Sequence, residues 1–205
     1  VTGVQTCALP ILRHDSELLR RARARLNARH PGSRAFWWLD LDVVRARAES
    51  LRQALAPLKP RIAYALKANG LPALVRVVRE AGLSVDAGSL GELELARVCG
   101  VEAHRRTLSG NGRTPEEADW VARHGVEAVS ADHPGELDRL ESAAARHGAR
   151  VRVALRVNPG IVAGGHPHIE TGHRATKFGM SPDEALATWA VCAPWPDRKS
   201  TRLNS

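Results

Sequence analysis

Long apolar runs are missing from this 205-residue chain, so no stretch approaches the ~20 residues needed to cross a bilayer as a helix. Cysteine is scarce as well. Cys7, Cys99 and Cys192 are odd in number and far apart, which excludes a disulfide framework and a C-x-x-C zinc site and suits a reducing cytoplasm. Aromatics make up only 4% of the chain although its formal charge is +8. A nucleic-acid surface would gather basic and aromatic residues in one patch. Here the arginines recur with acids through residues 17–29 and 43–52, the pattern of solvated helix faces. No G-x-x-x-x-G-K-[ST] occurs, and no G-x-G-x-x-G follows the first strand of the lysine-bearing region, which removes P-loop hydrolysis and a Rossmann dinucleotide site. Lysine is the last scarcity, at four of the 30 basic side chains.

What is present, 43% hydrophobic and 25% charged residues, belongs to a globular protein with a sizeable core. The ends read differently. Residues 1–11 (VTGVQTCALPI) are uncharged, follow neither strand nor helix periodicity and lack the positive n-region of a secretory signal. Residues 197–205 (DRKSTRLNS) break off an apolar stretch. Both are expected to be non-native tails, with the native protein continuing past about residue 196. Residues 12–34 are expected to form an N-terminal helix and linker, and residues 35–196 one α/β domain.

Within that domain, residues 35–41 (AFWWLDL) read as a strand and Asp42 opens a helix to Leu55, closed by Pro57 and Pro60. A regular alternation follows. Strands are expected over residues 61–67, 84–88, 106–109, 128–131 and 151–157. Between them lie helices with Gly82, Gly100, Gly125 and Gly148 at their ends. Leu74, Val75, Val77 and Val78 form one buried stripe. Thr114-Pro115-Glu116-Glu117 and Ser181-Pro182-Asp183-Glu184 are capping boxes with proline at the first helical position. Strands and amphipathic helices alternating every ~20–25 residues imply a parallel sheet with helical crossovers. Closure as a (β/α)8 barrel is favoured over an open doubly wound sheet, and a barrel carries its chemistry at the carboxyl ends of its strands. Lys67, Asp86, Ser109, Asp132 and Asn158 all fall at or near such ends.

Lys67 ends the run Ile62-Ala63-Tyr64-Ala65-Leu66, apolar or small on both faces. Burying an ammonium is costly. Either Lys67 snorkels out at the strand end, or it is an amine kept in a dry pocket with a lowered pKa, suited to forming a Schiff base.

Four segments carry a resemblance that favours the second reading. Tyr64-Ala65-Leu66-Lys67-Ala68-Asn69 resembles the cofactor-lysine motif of the alanine-racemase-like pyridoxal-phosphate barrels. Val85-Asp86-Ala87-Gly88-Ser89-Leu90-Gly91-Glu92 resembles the segment that follows it in the ornithine, diaminopimelate and arginine decarboxylase group; Asp86 lies 19 residues after Lys67 and Glu92 six further on. Leu155-Arg156-Val157-Asn158-Pro159 and His166-Pro167-His168-Ile169-Glu170-Thr171-Gly172, ending in Lys177-Phe178-Gly179, are similar to the diaminopimelate branch of that group. The resemblance covers residues 36–180. It implies an α/β fold, a pyridoxal-phosphate-binding (β/α)8 TIM-type barrel with about five of eight strands present and a second, β-rich domain missing.

It also implies the cofactor pyridoxal 5′-phosphate and the decarboxylation of a small amino acid, meso-diaminopimelate to L-lysine plus CO2, in the cytoplasm. Lys67 would bind the cofactor covalently, Asp86 would orient or charge-balance Lys67 unless it merely caps the next helix, and Arg156 would hydrogen-bond the cofactor or a neighbouring side chain. Glu92, in a first helical turn where dipole compensation alone would explain it, is a supporting candidate. A homodimer is implied for the full-length protein, with no nucleic acid and no membrane as partner. The group's ring-stacking histidine, phosphate glycines, pyridine-nitrogen acid and trans-dimer cysteine and tyrosine have no counterpart here. His166, His168 and His173, with Glu170, could ligate zinc, but a loop containing Pro167 lacks the i, i+4 spacing that preorganises such ligands, so no metal is expected. Rival readings are an ornithine, arginine or carboxynorspermidine decarboxylase or an amino-acid racemase; a non-catalytic cofactor-binding barrel; and a basic nucleic-acid module.

A five-stranded portion of a barrel leaves an unpaired edge and exposed core. The 205-residue chain expressed by itself is therefore expected to aggregate and to be inactive. Light scattering, a thermal melt and a cofactor absorbance scan check this; a soluble monomer with one sharp transition and a bound-cofactor band is the contrary result.

Overall fold

The computed structural model describes residues 16–32, 39–160 and 178–192. The chain divides into two units, Val1–Leu39 and Asp40–Ser205. In the first, helix α1 (Ser16–Arg29) pairs Glu17 with Arg20 and Arg21 one turn on.

The second unit opens with α2 (Leu41–Leu55), capped by the Asp40 carboxylate, which accepts the N–H groups of Asp42 and Val43 at 2.9 and 3.1 Å. The strand expected over residues 35–41 is corrected at its end: Leu41 is the first helical residue, because an aspartate cap starts the helix before the apolar run is finished. Residues 35–38 lie outside the described residues. Then come β1 (Ala63–Ala65), α3 (Pro72–Glu80), β2 (Ser84–Ala87), α4 (Leu90–Val98), β3 (Arg106–Leu108), α5 (Pro115–His124), β4 (Ala128–Ala131), α6 (Pro134–His147), β5 (Val153–Leu155) and α7 (Pro182–Cys192). The fifth strand is shorter than the expected 151–157, yet Val157 still makes a parallel bridge to Met180.

All five strands are parallel and stand in the order β1-β2-β3-β4-β5. This order decides the architecture. A doubly wound sheet reverses direction at a switch point, whereas consecutive order with right-handed crossovers sends every helix to one face. That is how a (β/α)8 barrel is wound, and the described sheet is part of one. Met180 extends the same progression beyond β5, its N–H donating to Arg156 O and its C=O accepting from Asn158 N.

The core lies between sheet and helices. The expected stripe Leu74, Val75, Val77 and Val78 is buried, and Val75, Val85, Leu93, Leu108 and Val129 have no solvent exposure. Each such side chain contributes about 1.5–3 kcal/mol by leaving water. A second cluster joins Ala131, Leu137, Leu155, Ala185 and the single methionine, Met180.

The arginines of the helix faces pair with acids within their own helices or next door: Arg52 with Glu49, Arg97 with Glu94, Arg123 with Asp119, and Arg45 with Glu80.

The strand-to-helix loops are close-packed at their carboxyl ends. A Cβ added to Gly110, just after β3, would stand 1.9 Å from the carbonyl oxygen of Gly88, just after β2. Backbone lies against backbone, so no rotamer change relieves the clash. Gly110→Ala should cost about 1–3 kcal/mol and loosen both loops; urea denaturation of wild type and variant checks this.

Candidate active site

Each βα unit delivers a polar loop to the same end of the sheet, and the helix that follows holds that loop. Glu92, Glu117 and Glu136 occupy the third position of α4, α5 and α6. The Glu92 carboxylate accepts the Gly88 N–H at 2.7 Å. Glu117 closes the expected capping box with Thr114 and reaches across to the Leu90 N–H at the start of α4, at 3.1 Å. Glu136 accepts the N–H groups of Gly112, Arg113 and Asp132 at 3.1, 3.2 and 3.0 Å. These are backbone donors that no helix could satisfy.

Arg113 is the cation of this network, its side chain fully buried. Its guanidinium donates to Gly110 O at 2.6 Å and Ser130 O at 2.8 Å and pairs with Glu117 at 3.4 Å. One arginine thus ties the loop after β3 and strand β4 to α5.

Lys67 is not part of β1. It stands on a 3₁₀ turn, Leu66–Ala68, immediately after that strand. Leu66 anchors the turn in the core at 1% exposure. The Tyr64 hydroxyl closes it by donating to Asn69 O at 3.1 Å, and burial raises the Tyr64 pKa. Lys67 itself is exposed and makes no hydrogen bond or ion pair among the described residues. The dry pocket expected for it is therefore not formed by these residues; the turn lifts the ammonium out of the sheet, where water solvates it.

Asp86 lies on β2, in register with Ala65. It is not the cap of the next helix, because Ser89 takes that place, its hydroxyl accepting the Glu92 N–H. Nor does Asp86 bond Lys67. Its two carboxylate oxygens accept the hydroxyls of Thr107 at 2.9 Å and Ser109 at 2.6 Å, both from β3 and its end. Two hydroxyl donors from one neighbouring strand hold the carboxylate in one orientation.

Arg156, just past β5, finds its anion in Asp132, just past β4, at 3.1 Å. Its guanidinium also lies over the Phe178 ring, 5.0 Å from the centroid. Asp132 is buried, and burial raises its carboxyl above the ordinary range against the pull of Arg156, with Glu136 adding to the rise.

The structure thus sets Lys67, Asp86 and the Arg156–Asp132 pair along one rim, Asp86 on β2 and the others just past the ends of β1, β4 and β5. It gives Glu92 a loop-holding bond. His166, His168, Glu170 and His173 lie outside the described residues, among which no cluster of three metal-ligating side chains occurs.

Thr107, Arg113, Glu117 and Glu136 were not singled out as site residues from sequence, and Asp132 was placed at a strand end without a role. The signal for Glu117 and Glu136 was nevertheless there, and Glu92 shares it: a polar cap followed three residues later by glutamate repeats at Ser89–Glu92, Thr114–Glu117 and His133–Glu136.

A parallel barrel sheet with one lysine, one held aspartate and one arginine on its carboxyl rim is the frame of a cofactor-dependent enzyme class rather than of a nucleotide-binding sheet. The chain belongs to the pyridoxal-dependent decarboxylases: residues 41–194 match the family of the pyridoxal-dependent decarboxylase, pyridoxal binding domain. The family makes pyridoxal phosphate the cofactor. Among curated relatives, the diaminopimelate decarboxylase of Neisseria meningitidis serogroup A is 35% identical over 151 residues, 74% of this chain and 37% of that protein. That of Bacillus subtilis is 37% identical over 143 residues, 69% of this chain and 33% of the relative. The chain thus spans about a third of the length of these relatives. Helicobacter pylori diaminopimelate decarboxylase, solved with L-lysine, superposes with a TM-score of 0.73 at 26% identity, covering 84% of this chain and 44% of the other.

Removing Glu117 by substitution with alanine would leave the Arg113 charge buried and the Leu90 and Thr114 N–H groups without their acceptor. Breaking a buried pair from one side costs about 3–5 kcal/mol. Chemical denaturation of Glu117→Ala checks this; Glu117→Gln, which keeps an acceptor, should lose less.

Proposed function

We propose that this chain is the pyridoxal-binding portion of an enzyme that decarboxylates an amino acid, meso-diaminopimelate, yielding L-lysine and CO2. One observation carries the reading: a lone primary amine, Lys67, stands exposed on an anchored turn at the carboxyl rim. The names of the relatives support the substrate, as does the L-lysine held by the Helicobacter structure.

The residues fit the cofactor's chemistry. An aldehyde needs a primary amine without a competing partner, and Lys67 is one. An anionic oxygen needs a fixed donor, and Arg156 is partly exposed and braced from two sides. The bound cofactor supplies an electron sink for the charge left on Cα when CO2 departs.

The chain's own groups do the rest. Lys67 is the residue that would hold the cofactor covalently, through its Nζ. Asp86, held by Thr107 and Ser109, presents a fixed negative charge beside β1. That charge is assigned the role of orienting or charge-balancing the Lys67 amine, which stands on the turn after the adjacent strand. Arg156 orients the cofactor at the opposite end of the described rim. Glu92 supports Asp86 indirectly, by fixing the Gly88 N–H of the loop that follows it.

Residues 35–196 are assigned as the cofactor-binding part, residues 12–34 as a helix and linker, and residues 1–11 and 197–205 as non-native tails. The enzyme is placed in the cytoplasm. Cys99, a buried free thiol, is in keeping with that location. No described helix is long and apolar enough to cross a membrane. Resemblance to the family supports a homodimer.

Borohydride reduction of the full-length protein after incubation with pyridoxal phosphate should leave a pyridoxyl group on the peptide containing Lys67, read by mass spectrometry, and Lys67→Ala should abolish it. Labelling confined to Lys59, Lys177 or Lys199 would remove the assignment.

A further inference from the structure

Among the polar side chains of the rim, Asp132 is the one whose burial the fold does not explain. Its side chain is 5% exposed, and its Oδ1 is buried without a hydrogen-bond partner. It is not the cap of α6, because His133 Nδ1 accepts the Gly135 N–H at 3.0 Å. It does not hold Glu136 through its side chain either; that bond uses the Asp132 backbone N–H. The side chain its carboxylate does reach is Arg156, with Nη1 at 3.1 Å from Oδ2, beside the backbone N–H of Gly179.

The Arg156 backbone is already fixed. Its N–H donates to Ala131 O at 2.9 Å and its C=O accepts from Met180 N at 2.8 Å. Only the side chain remains to be placed. Phe178 covers one face of the guanidinium and Asp132 takes one edge. The side chain keeps 39% exposure, and among the described residues its only hydrogen bond goes to Asp132. A guanidinium carries five N–H donors in a rigid fork, so the contact with Asp132 sets where the remaining donors point.

We propose that Asp132 is the positioning residue for Arg156, holding the guanidinium at the carboxyl rim so that its remaining N–H groups meet an anionic oxygen of pyridoxal phosphate. This rests on the cofactor reading above. Burial, opposed by Arg156 and the Gly179 N–H and reinforced by Glu136, raises the Asp132 carboxyl above its usual range. An Asp that binds its proton more tightly folded than unfolded lowers stability once ionised. As a structural element the ionised carboxylate is therefore a liability, and a neutral isostere should be tolerated by the fold. A positioning role predicts a loss of a different kind.

The test uses the full-length protein, not the 205-residue portion by itself, with Asp132→Asn, Arg156→Gln and the double variant. Pyridoxal phosphate affinity is titrated by absorbance, with thermal midpoints taken on the same samples. The expected result is about a tenfold weaker cofactor affinity for D132N with an unchanged or raised midpoint. The double variant should bind no more weakly than R156Q alone, and Asp132→Glu should recover part of the affinity. Wild-type affinity in D132N, additive losses in the double variant, or loss of the cooperative transition in D132N each overturns the assignment, the last by making Asp132 a structural residue. Borohydride labelling of wild-type Lys67 separates the two readings. Labelled wild type with unaffected D132N sinks only this inference, whereas an unlabelled wild type sinks the cofactor reading and this inference with it.

Discussion

A carboxylate at the third position of a helix can turn back and accept N–H groups from the chain that leads into it, and the rim of this protein depends on that bond made three times. Glu92, Glu117 and Glu136 satisfy donors that would otherwise be stranded where strands end and helices have not begun. Glu117 and Glu136 are themselves buried, so each has exchanged water for several fixed donors. Buried Arg113 completes the set by neutralising Glu117 and covering one loop carbonyl, Gly110, and one of β4, Ser130. The cost of burying these charges is met only because nearly every partner is present. That all-or-none character is what keeps the loops in one arrangement.

Position follows from this frame. Lys67 gains an anchored turn, since Leu66 is in the core and Tyr64 closes the backbone behind it. Asp86 gains two hydroxyl donors from the adjacent strand. Arg156 gains a carboxylate on one edge and an aromatic ring on one face. The three side chains come from separate strands, so their relative placement is decided by sheet register and loop packing, including the backbone contact of Gly110 on Gly88. A chemistry that must orient one bond relative to a flat cofactor needs that rigidity.

Local signals in the sequence were accurate where they were governed by neighbours along the chain. The stripe of Leu74, Val75, Val77 and Val78, the capping box at Thr114 and Glu117, and the strand at residues 128–131 are all present. The misreadings occur where a short-range competitor or a distant partner took over. Asp40 capped a helix and drew Leu41 out of the expected strand. Lys67 slipped from strand to turn because Tyr64 bonds Asn69 rather than leaving the strand free to run on. Asp86 was open to a reading as a helix cap because Thr107 and Ser109, more than 20 residues away, are invisible to local pattern.

By itself, then, the sequence determined the alternation of strand and helix, the apolar faces, and a lysine and an aspartate spaced as in the pyridoxal-phosphate decarboxylases, because these depend on periodicity, capping and residue order. Only the tertiary structure decided that the strands run in unbroken order, that Lys67 stands exposed on a turn, and that Arg156 is braced by Asp132 while Asp86 is held from β3. Apart from the Lys67 turn, which the Tyr64–Asn69 bond closes locally, those facts rest on contacts between strands far apart in sequence. The physical reason is that a buried charge is placed by whichever partners relieve its desolvation, and the fold, not the local sequence, brings those partners within reach.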